Sequence, residues 1–326
     1  MTRSGDLAAS SVLVRGAGGF LGGALARGLV GRCARLRLCC RRPELLDPTL
    51  RSAGAEVLAA DALDPVAVAH SLREIDLVVD CIGSTVPAVA PRDLLPEVER
   101  SLRPLAVLLD AMALEPGRRL LFLSSGGASY GSAAQGAWTE ESATAPESAY
   151  GVGKLLAEEM IRFRARRGDA SFLIARAANV YGRQRLGALP QGVVDIFLDR
   201  AARGEPIECW GDGSQVRDYL FVDDFVAAIV ALLDRSVRNE IVHVATGVGS
   251  SLAEVVAAVE RAIGLPVQRR SGGGLPAGVD RNVLAITKLQ SLTGWMPQFD
   301  LATGVAEAAR RQASARQGRP GAAGRS

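Results

Sequence analysis

Ser11-Val12-Leu13-Val14-Arg15, running directly into Gly16-Ala17-Gly18-Gly19-Phe20-Leu21-Gly22, is the stretch that decides the fold. A short apolar run ending in a glycine turn predicts a strand, and the amphipathic pattern over residues 19–31 predicts the helix that follows. The glycines have distinct uses. Gly16 permits a tight turn, Gly19 lets backbone approach a pyrophosphate, and Gly22 lets the helix pack closely on a sheet, with Phe20 and Leu21 between them. Free amides and partial positive charge at the helix start favour an anion there. The competing reading is a packing turn that binds no nucleotide.

Outward from this turn, apolar runs at residues 36–40, 56–60, 77–82, 119–124 and 172–175 alternate with helical patterns at 65–73, 93–114 and 150–166. That alternation predicts an α/β fold, a doubly wound parallel sheet covered by helices on both faces. From Asn179 the pattern loosens, and residues 221–233 and 240–245 read as elements returning to the sheet. Residues 1–178 are therefore expected to form a nucleotide-binding domain to which 218–246 return. Residues 179–217 and 247–311 are expected to form a smaller, interleaved C-terminal substrate-binding lobe. The tail, residues 312–326, lacks apolar periodicity and is expected to be disordered. No internal repeat is evident.

A chain of 326 residues, 48% hydrophobic and 22% charged, can bury a large core. Its formal charge of +3 comes with scattered arginines, so no nucleic-acid footprint is expected. No run approaches the roughly 18 apolar residues of a membrane span, and residues 1–9 carry Asp6 and no apolar signal core. No membrane association and a cytoplasmic location are the expectations. Cys33, Cys39, Cys40, Cys81 and Cys209 form no Cys-x-x-Cys pair and read as reduced thiols; His70 and His243 stand apart. No metal site is expected.

Tyr150-Gly151-Val152-Gly153-Lys154 carries the chemistry. Four helical residues turn through about 400°, which leaves the two side chains about 40° apart on one face, a turn from each other. An ammonium so placed favours the phenolate and makes the hydroxyl of Tyr150 usable as a proton donor or acceptor. Alone the spacing is common; with the glycine turn upstream it gains meaning. Asp61, closing the third strand, suits an acceptor for an adenine amino group, with a helix N-cap as the rival role. At the end of the second strand, where an acid would accept from a ribose 2′-hydroxyl, stand Cys40, Arg41 and Arg42. Guanidinium forks favour a 2′-phosphate, hence NADP over NAD, unless both arginines are merely solvated.

These residues resemble the extended short-chain dehydrogenase/reductase family, in its branch of nucleotide-sugar epimerases, dehydratases and 4-ketoreductases. The likeness runs over residues 12–304. It includes Gly83-Ser84-Thr85-Val86-Pro87, Ser124-Ser125-Gly126-Gly127-Ala128-Ser129-Tyr130-Gly131, Arg176 with Asn179-Val180-Tyr181-Gly182, Trp210 to Ser214 with Arg217-Asp218-Tyr219, and Gly294-Trp295-Met296-Pro297. The resemblance implies a Rossmann-type domain with Tyr150 as acid/base and Lys154 both holding the nicotinamide ribose and tuning the phenol. It also implies cofactor contacts from Ala62, Ile82, Gly83 and Ser84, and substrate contacts from Ser84, Thr85, Ser125 and Gly126. Asn179 and Arg217, with Arg270 or Arg281, are implied to touch a nucleotide-sugar diphosphate.

Three departures matter. The family's catalytic Ser or Thr, four residues before the tyrosine of the Tyr130-Gly131 pair, is replaced by Gly126. Ser125 is then the first choice for the third catalytic residue, with Ser124 and Ser84 as rivals. The family's acid after the second strand is missing, and Ala285 stands where Asp is common. Gly126 and Gly127 also replace the Asp-Glu pair that a dehydratase needs. The expected activity is NADPH-dependent reduction of a nucleotide-linked 4-keto-6-deoxyhexose, the alternatives being an NAD-dependent 4-epimerase and a non-catalytic NADP-binding sensor or scaffold. Family likeness also suggests a homodimer, pairing the helix from Asp93 with the Tyr150 helix through residues such as Leu102, Leu105, Leu108, Leu109, Leu155 and Ile161.

Overall fold

Strands that are apolar without alternation are buried on both faces, and the central sheet is built from such strands. The computed structural model describes residues 6–83, 93–132, 136–183, 192–209, 212–271 and 280–317. In chain order the first half runs β1 (Ser11–Arg15), α1 (Phe20–Leu29), β2 (Arg35–Cys40), α2 (Pro48–Ser52), β3 (Glu56–Ala59), α3 (Pro65–Ser71), β4 (Leu77–Asp80), α4 (Leu94–Glu97), α5 (Arg103–Ala113), β5 (Arg118–Ser125), α6 (Gly126–Ser129) and α7 (Ala149–Arg166). The second half runs β6 (Ala170–Ala177), β7 (Asn179–Tyr181), α8 (Val193–Ala202), β8 (Ile207–Cys209), β9 (Val216–Phe221), α9 (Val222–Asp234), β10 (Glu240–Val244), β11 (Gly249–Ser251), α10 (Leu252–Ile263), β12 (Arg269–Ser271), β13 (Arg281–Asn282), α11 (Thr287–Thr293) and α12 (Leu301–Gln317).

Seven parallel strands form the main sheet in the order β3-β2-β1-β4-β5-β6-β10. Alternate residues of each strand feed opposite cores. Val12 and Val14 pack with Leu25 and Leu29 of α1 and Phe225 and Ile229 of α9, whereas Leu13 packs with Val68 of α3, Leu105 and Leu108 of α5 and Ile161 of α7. The doubly wound α/β expectation is met. A second sheet brings β7, β11 and β13 to β9, and β8 pairs with β12. Residues of α8, α10 and α12 enclose a third core there.

Three expectations need correction. Residues 218–221 lie in β9, within the second sheet, so the return to the main sheet starts only at α9. The expected helix 93–114 is split by a π turn at Val98–Leu102, just ahead of Pro104, whose missing amide removes a hydrogen bond from the helical ladder. Residues 312–317 are helical: Gln312 Nε2 donates to the Arg183 carbonyl (3.2 Å), Arg316 pairs with Asp199 (2.8 Å), and Arg311 just before them grips Asp223. Tertiary anchors there supply what apolar periodicity lacks.

A buried polar chain ties the main sheet to the segment after β13. Ser124 Oγ donates to Glu158 (2.5 Å), Arg176 donates through Nε and Nη2 to the same carboxylate (3.0 and 2.6 Å), and its Nη1 donates to the Tyr130 hydroxyl (2.6 Å). Tyr130 Oη meets His243 Nε2 at 2.8 Å, while His243 Nδ1 faces the Ala285 carbonyl at 3.1 Å. Only one tautomer satisfies both ends: Nδ1–H donates to the carbonyl, and Nε2 accepts from Tyr130. Burial pushes the Tyr130 phenol up to about 12, so it keeps its proton, and burial holds His243 down to about 4.

The unfolded chain binds a proton at His243 near its ordinary value of 6.5, and the folded chain does not until about 4, so this residue costs stability as pH falls between those limits. His243→Asn should melt earlier than wild type at pH 7, by the roughly 1–3 kcal/mol of a lost buried hydrogen bond. The gap between the two proteins should narrow as pH drops from 6.5 to 4 in thermal unfolding; a constant gap refutes a neutral buried imidazole.

Candidate active site

Strand order reverses between β1 and β4, and there the sheet opens a crevice at its carboxyl edge. Gly16 has φ +73°, and a Cβ on it would lie 3.0 Å from both the carbon and the oxygen of the Cys81 carbonyl. A Cβ on Gly22 would overlap the Gly16 carbonyl. The turn is moored to β2, since the Gly16 and Ala17 amides both donate to the Cys39 carbonyl (3.0 and 3.3 Å). Beneath it, buried Arg15 and Asp80 pair at 3.4 Å, and Asp80 also accepts from the Ile82 amide, bracing the two strand exits together. The cap of α1 is Gly19, with no side-chain cap and no acid in the first turn. Amides left open in this way suit the phosphates of a dinucleotide.

The Tyr150 helix reaches the crevice because its cap and its glycines allow it. Ser148 Oγ accepts from the Gly151 amide (3.1 Å), and a Cβ at Gly151 would overlap the Ala128 carbonyl, as one at Gly153 would overlap Glu97. Lys154 is 6% exposed; its Nζ donates to the Leu123 carbonyl (2.8 Å) and lies 4.8 Å from the Phe122 ring centre and 5.6 Å from that of Tyr150. Gly83 borders the same ammonium, its Cβ direction ending 3.7 Å from Nζ.

Among the serines at the end of β5, Ser124 is committed to Glu158, and Ser125 lines the cleft. Gly126 is closed to any side chain. A Cβ there would overlap Leu284 Cδ1 and come within 3.3 Å of the Arg176 carbonyl.

The cleft, of about 770 Å³, is walled by Gly19, Phe20, Leu21, Gly22, Ile82, Gly83, Ser125, Tyr150, Lys154 and Asn179 among the residues expected from sequence. Asn179 Nδ2 donates to the Asp218 carbonyl (3.1 Å). Arg41 and Arg42 are exposed on the loop after β2, beyond Cys40, which lies against Gly18. Asp61 accepts from the Leu63 amide (3.0 Å) in a two-residue turn, and the cap of α3 is Asp64; the rival role for Asp61 is thereby removed. Ala62 lies beside it, half-buried.

Arg217, Arg270, Arg281 and Gly126 are absent from the described walls of the cleft. Arg217 donates to the carbonyls of Val216 and Asp280 (2.9 and 3.3 Å), with burial pushing its pKa down, and Arg281 Nε donates to the Gly136 carbonyl (3.4 Å). Arg270 is exposed on β12, in register with Glu208. Ser84, Thr85 and Trp210 lie outside the described residues, as do residues 318–326.

Sequence reading missed Glu158, which helical spacing from Lys154 could have found, and Arg183, Arg200 and Arg203 on the far wall, which it could not. Among the described residues no cluster of His, Cys, Asp or Glu could hold a metal, and no helix is long and apolar enough to cross a membrane.

Residues 12–245 match the profile of the NAD dependent epimerase/dehydratase family. A UDP-glucose 4-epimerase of Mycolicibacterium smegmatis is 32% identical over 200 residues, 61% of this chain and 64% of that protein. A dTDP-4-dehydro-6-deoxy-D-allose reductase of a Streptomyces species is 27% identical over 315 residues, 93% of this chain and 96% of that protein. Alignments to the first curated relatives span less than two thirds of their length. The crystal structure of Thermus thermophilus UDP-glucose 4-epimerase in complex with NAD superposes with a TM-score of 0.84 at 27% identity, covering 93% of this chain and 99% of that one. With its sheet order, its glycine turn and a profile match over most of its length, the chain belongs to the NAD dependent epimerase/dehydratase family.

Proposed function

We propose that this protein is an NADPH-dependent 4-ketoreductase acting on a nucleotide-diphosphate 4-keto-6-deoxyhexose. The observation that carries the reading is the convergence of Tyr150, Lys154 and Ser125 with an uncapped glycine turn on the walls of one cleft. Gly16, Gly19, Phe20, Leu21 and Gly22, with Ile82 and Gly83, hold the dinucleotide, which when bound supplies the hydride. The hydroxyl of Tyr150 gives its proton to the oxygen at C4 as the ketone becomes an alcohol, and Ser125 donates a hydrogen bond to that same oxygen. Lys154, buried and anchored on Leu123, holds the nicotinamide ribose and places its charge beside the phenol. Asn179, on the wall where the second sheet begins, faces the sugar nucleotide.

Preference for NADPH rests on Arg41 and Arg42, which follow β2 where a carboxylate would repel a 2′-phosphate. Likeness to the Mycolicibacterium and Thermus epimerases favours a second reading, a 4-epimerase that retains its NAD. Net consumption of cofactor separates the two. With a nucleotide-linked 4-keto-6-deoxysugar, purified protein should deplete NADPH absorbance faster than NADH; interconversion of UDP-sugars without added cofactor establishes the epimerase instead.

A homodimer is also proposed. The helices named for it turn Leu105, Leu108, Leu109 and Ile161 into the sheet core, leaving Leu94, Leu95, Val98, Leu156 and Phe163 exposed on neighbouring α4, the π turn and α7.

Tyr150→Phe should lower kcat by about 10²–10⁴-fold, the worth of a general acid, and leave the Kd for NADPH within about twofold. Retained turnover would remove Tyr150 from the chemistry. Replacing Arg41 and Arg42 together by Ala should weaken NADPH about tenfold or more and leave NADH unchanged, read by calorimetry. Wild type should sediment as a dimer at micromolar concentration, and Leu156→Asp as a monomer; wild type sedimenting as a monomer rules the interface out.

A further inference from the structure

Two side chains of α7, one helical turn apart, hold two consecutive residues of β5. Lys154 Nζ donates to the Leu123 carbonyl (2.8 Å), and Glu158 accepts from Ser124 Oγ (2.5 Å). Both α7 residues are buried, as is Ser124. The Glu158 carboxylate has a further hold on the sheet. Arg176 on β6 is the register partner of Ser124, and it donates through Nε to the oxygen that Ser124 uses (3.0 Å) and through Nη2 to the other (2.6 Å). Burial works to lower the pKa of Arg176, yet its bonds to Glu158 carry it above the ordinary value, so the guanidinium stays charged. One buried carboxylate thus ties a helix to two neighbouring strands near the point where both leave the sheet.

Ser125 is the next residue, and β5 ends there. Successive side chains of a strand point to opposite faces, so holding the Ser124 hydroxyl sets the direction of Ser125. The backbone that follows is closed in as well. The Ser125 carbonyl accepts from Ser129 Oγ (2.6 Å), the Gly126 carbonyl accepts from Asn282 Nδ2 (3.3 Å), and Leu284 leaves no room for a side chain at 126. Although Ser125 stands at the N-cap of α6, its side chain makes no capping bond. A hydroxyl that donates to a developing alkoxide must lie within about 2.5–3.0 Å of it, and a misplacement of about 1 Å costs up to about 10²-fold in rate.

We propose that Glu158 is a positioning residue for the reaction, acting through Ser124 to set the Ser125 hydroxyl against the oxygen at C4. The inference rests on the reading of the cleft as a carbonyl-reducing site in which Ser125 is a donor. Glu158 itself touches neither cofactor nor sugar in this account. Its carboxylate fixes Ser124, and Ser124 fixes the strand end from which Ser125 is presented.

Steady-state kinetics of the full-length protein with NADPH and a nucleotide-linked 4-keto-6-deoxysugar test this in a double-mutant cycle. Ser125→Ala should lower kcat by about 10²-fold, the effect of removing one donor to a developing oxyanion. Ser124→Ala, which leaves both partners of the Glu158–Arg176 pair in place, should lower kcat about tenfold, with the KM for the sugar nucleotide and the Kd for NADPH within about twofold of wild type. In the double variant the loss should equal that of Ser125→Ala alone, because a hydroxyl that is gone cannot be misplaced. Glu158→Gln, which removes the charge that Ser124 and Arg176 share, should likewise lower kcat in the wild-type background and not in Ser125→Ala. If Ser124→Ala does not fold, Ser124→Thr and Ser124→Val share one shape and differ in the hydroxyl, and the Thr variant should turn over about tenfold faster than the Val variant. Losses that multiply in the double variant, or a Ser124→Ala kcat within twofold of wild type, overturn the proposal and leave the reading of the cleft standing. Wild type that reduces no such ketone, or Ser125→Ala turning over as fast as wild type, overturns that reading, and the proposal falls with it.

Discussion

Two strand exits meet with no room between them. β1 and β4 are neighbours in the sheet and their chains leave in opposite directions, so the backbone at residue 16 passes too close to the Cys81 carbonyl for a Cβ to fit without crowding. The glycine turn at the cleft is referred to that approach. It sets the height at which α1 presents its amides, and the Arg15–Asp80 pair below keeps the second exit from drifting. A buried ion pair contributes little net stability, because desolvation offsets the attraction, but breaking it leaves one charge stranded; its value here is geometric.

The second fixed point is Lys154. With Nζ bonded to a strand carbonyl and flanked by two aromatic rings, it joins α7 to the end of β5 through a charge, alongside the apolar packing of Ala157 and Ile161. One turn further along the same helix, Glu158 takes Ser124 and Arg176 and passes the constraint on to Tyr130 and His243. Orientation at the cleft floor and attachment of the segment after β13 are thus one hydrogen-bonded chain, in which losing one member leaves its neighbours' buried polar groups unpaired at a cost in stability.

Where local spacing carries the information, sequence reading placed the residues well. The glycine turn needs only three glycines and a strand before them, and the Tyr150–Lys154 relation needs only helical periodicity, so both were legible. Residue roles that depend on tertiary partners were not. Asp61 and Asp64 are equivalent on paper, and only the backbone path decides which one caps α3. Residues 312–317 look unstructured until Arg183 and Asp199 are brought against them. Arg217 and Arg281 sit on adjoining strands of a sheet whose existence follows from long-range pairing, and that pairing turns them to backbone carbonyls away from the described cleft wall. The π turn before Pro104 likewise follows from a missing amide whose effect depends on what the helix packs against.

Leu284 constrains which side chains the neighbouring turn can carry. Its side chain fills the volume that a residue larger than glycine would need at position 126, so the two positions are not independent. A hydroxyl cannot be placed at 126 by one substitution without displacing a fully buried leucine. The permitted route runs through a smaller residue at 284 first, which leaves a void until the serine arrives. Glycine at 126 and leucine at 284 are thus one packing unit, and a variant that enlarges the first has to shrink the second.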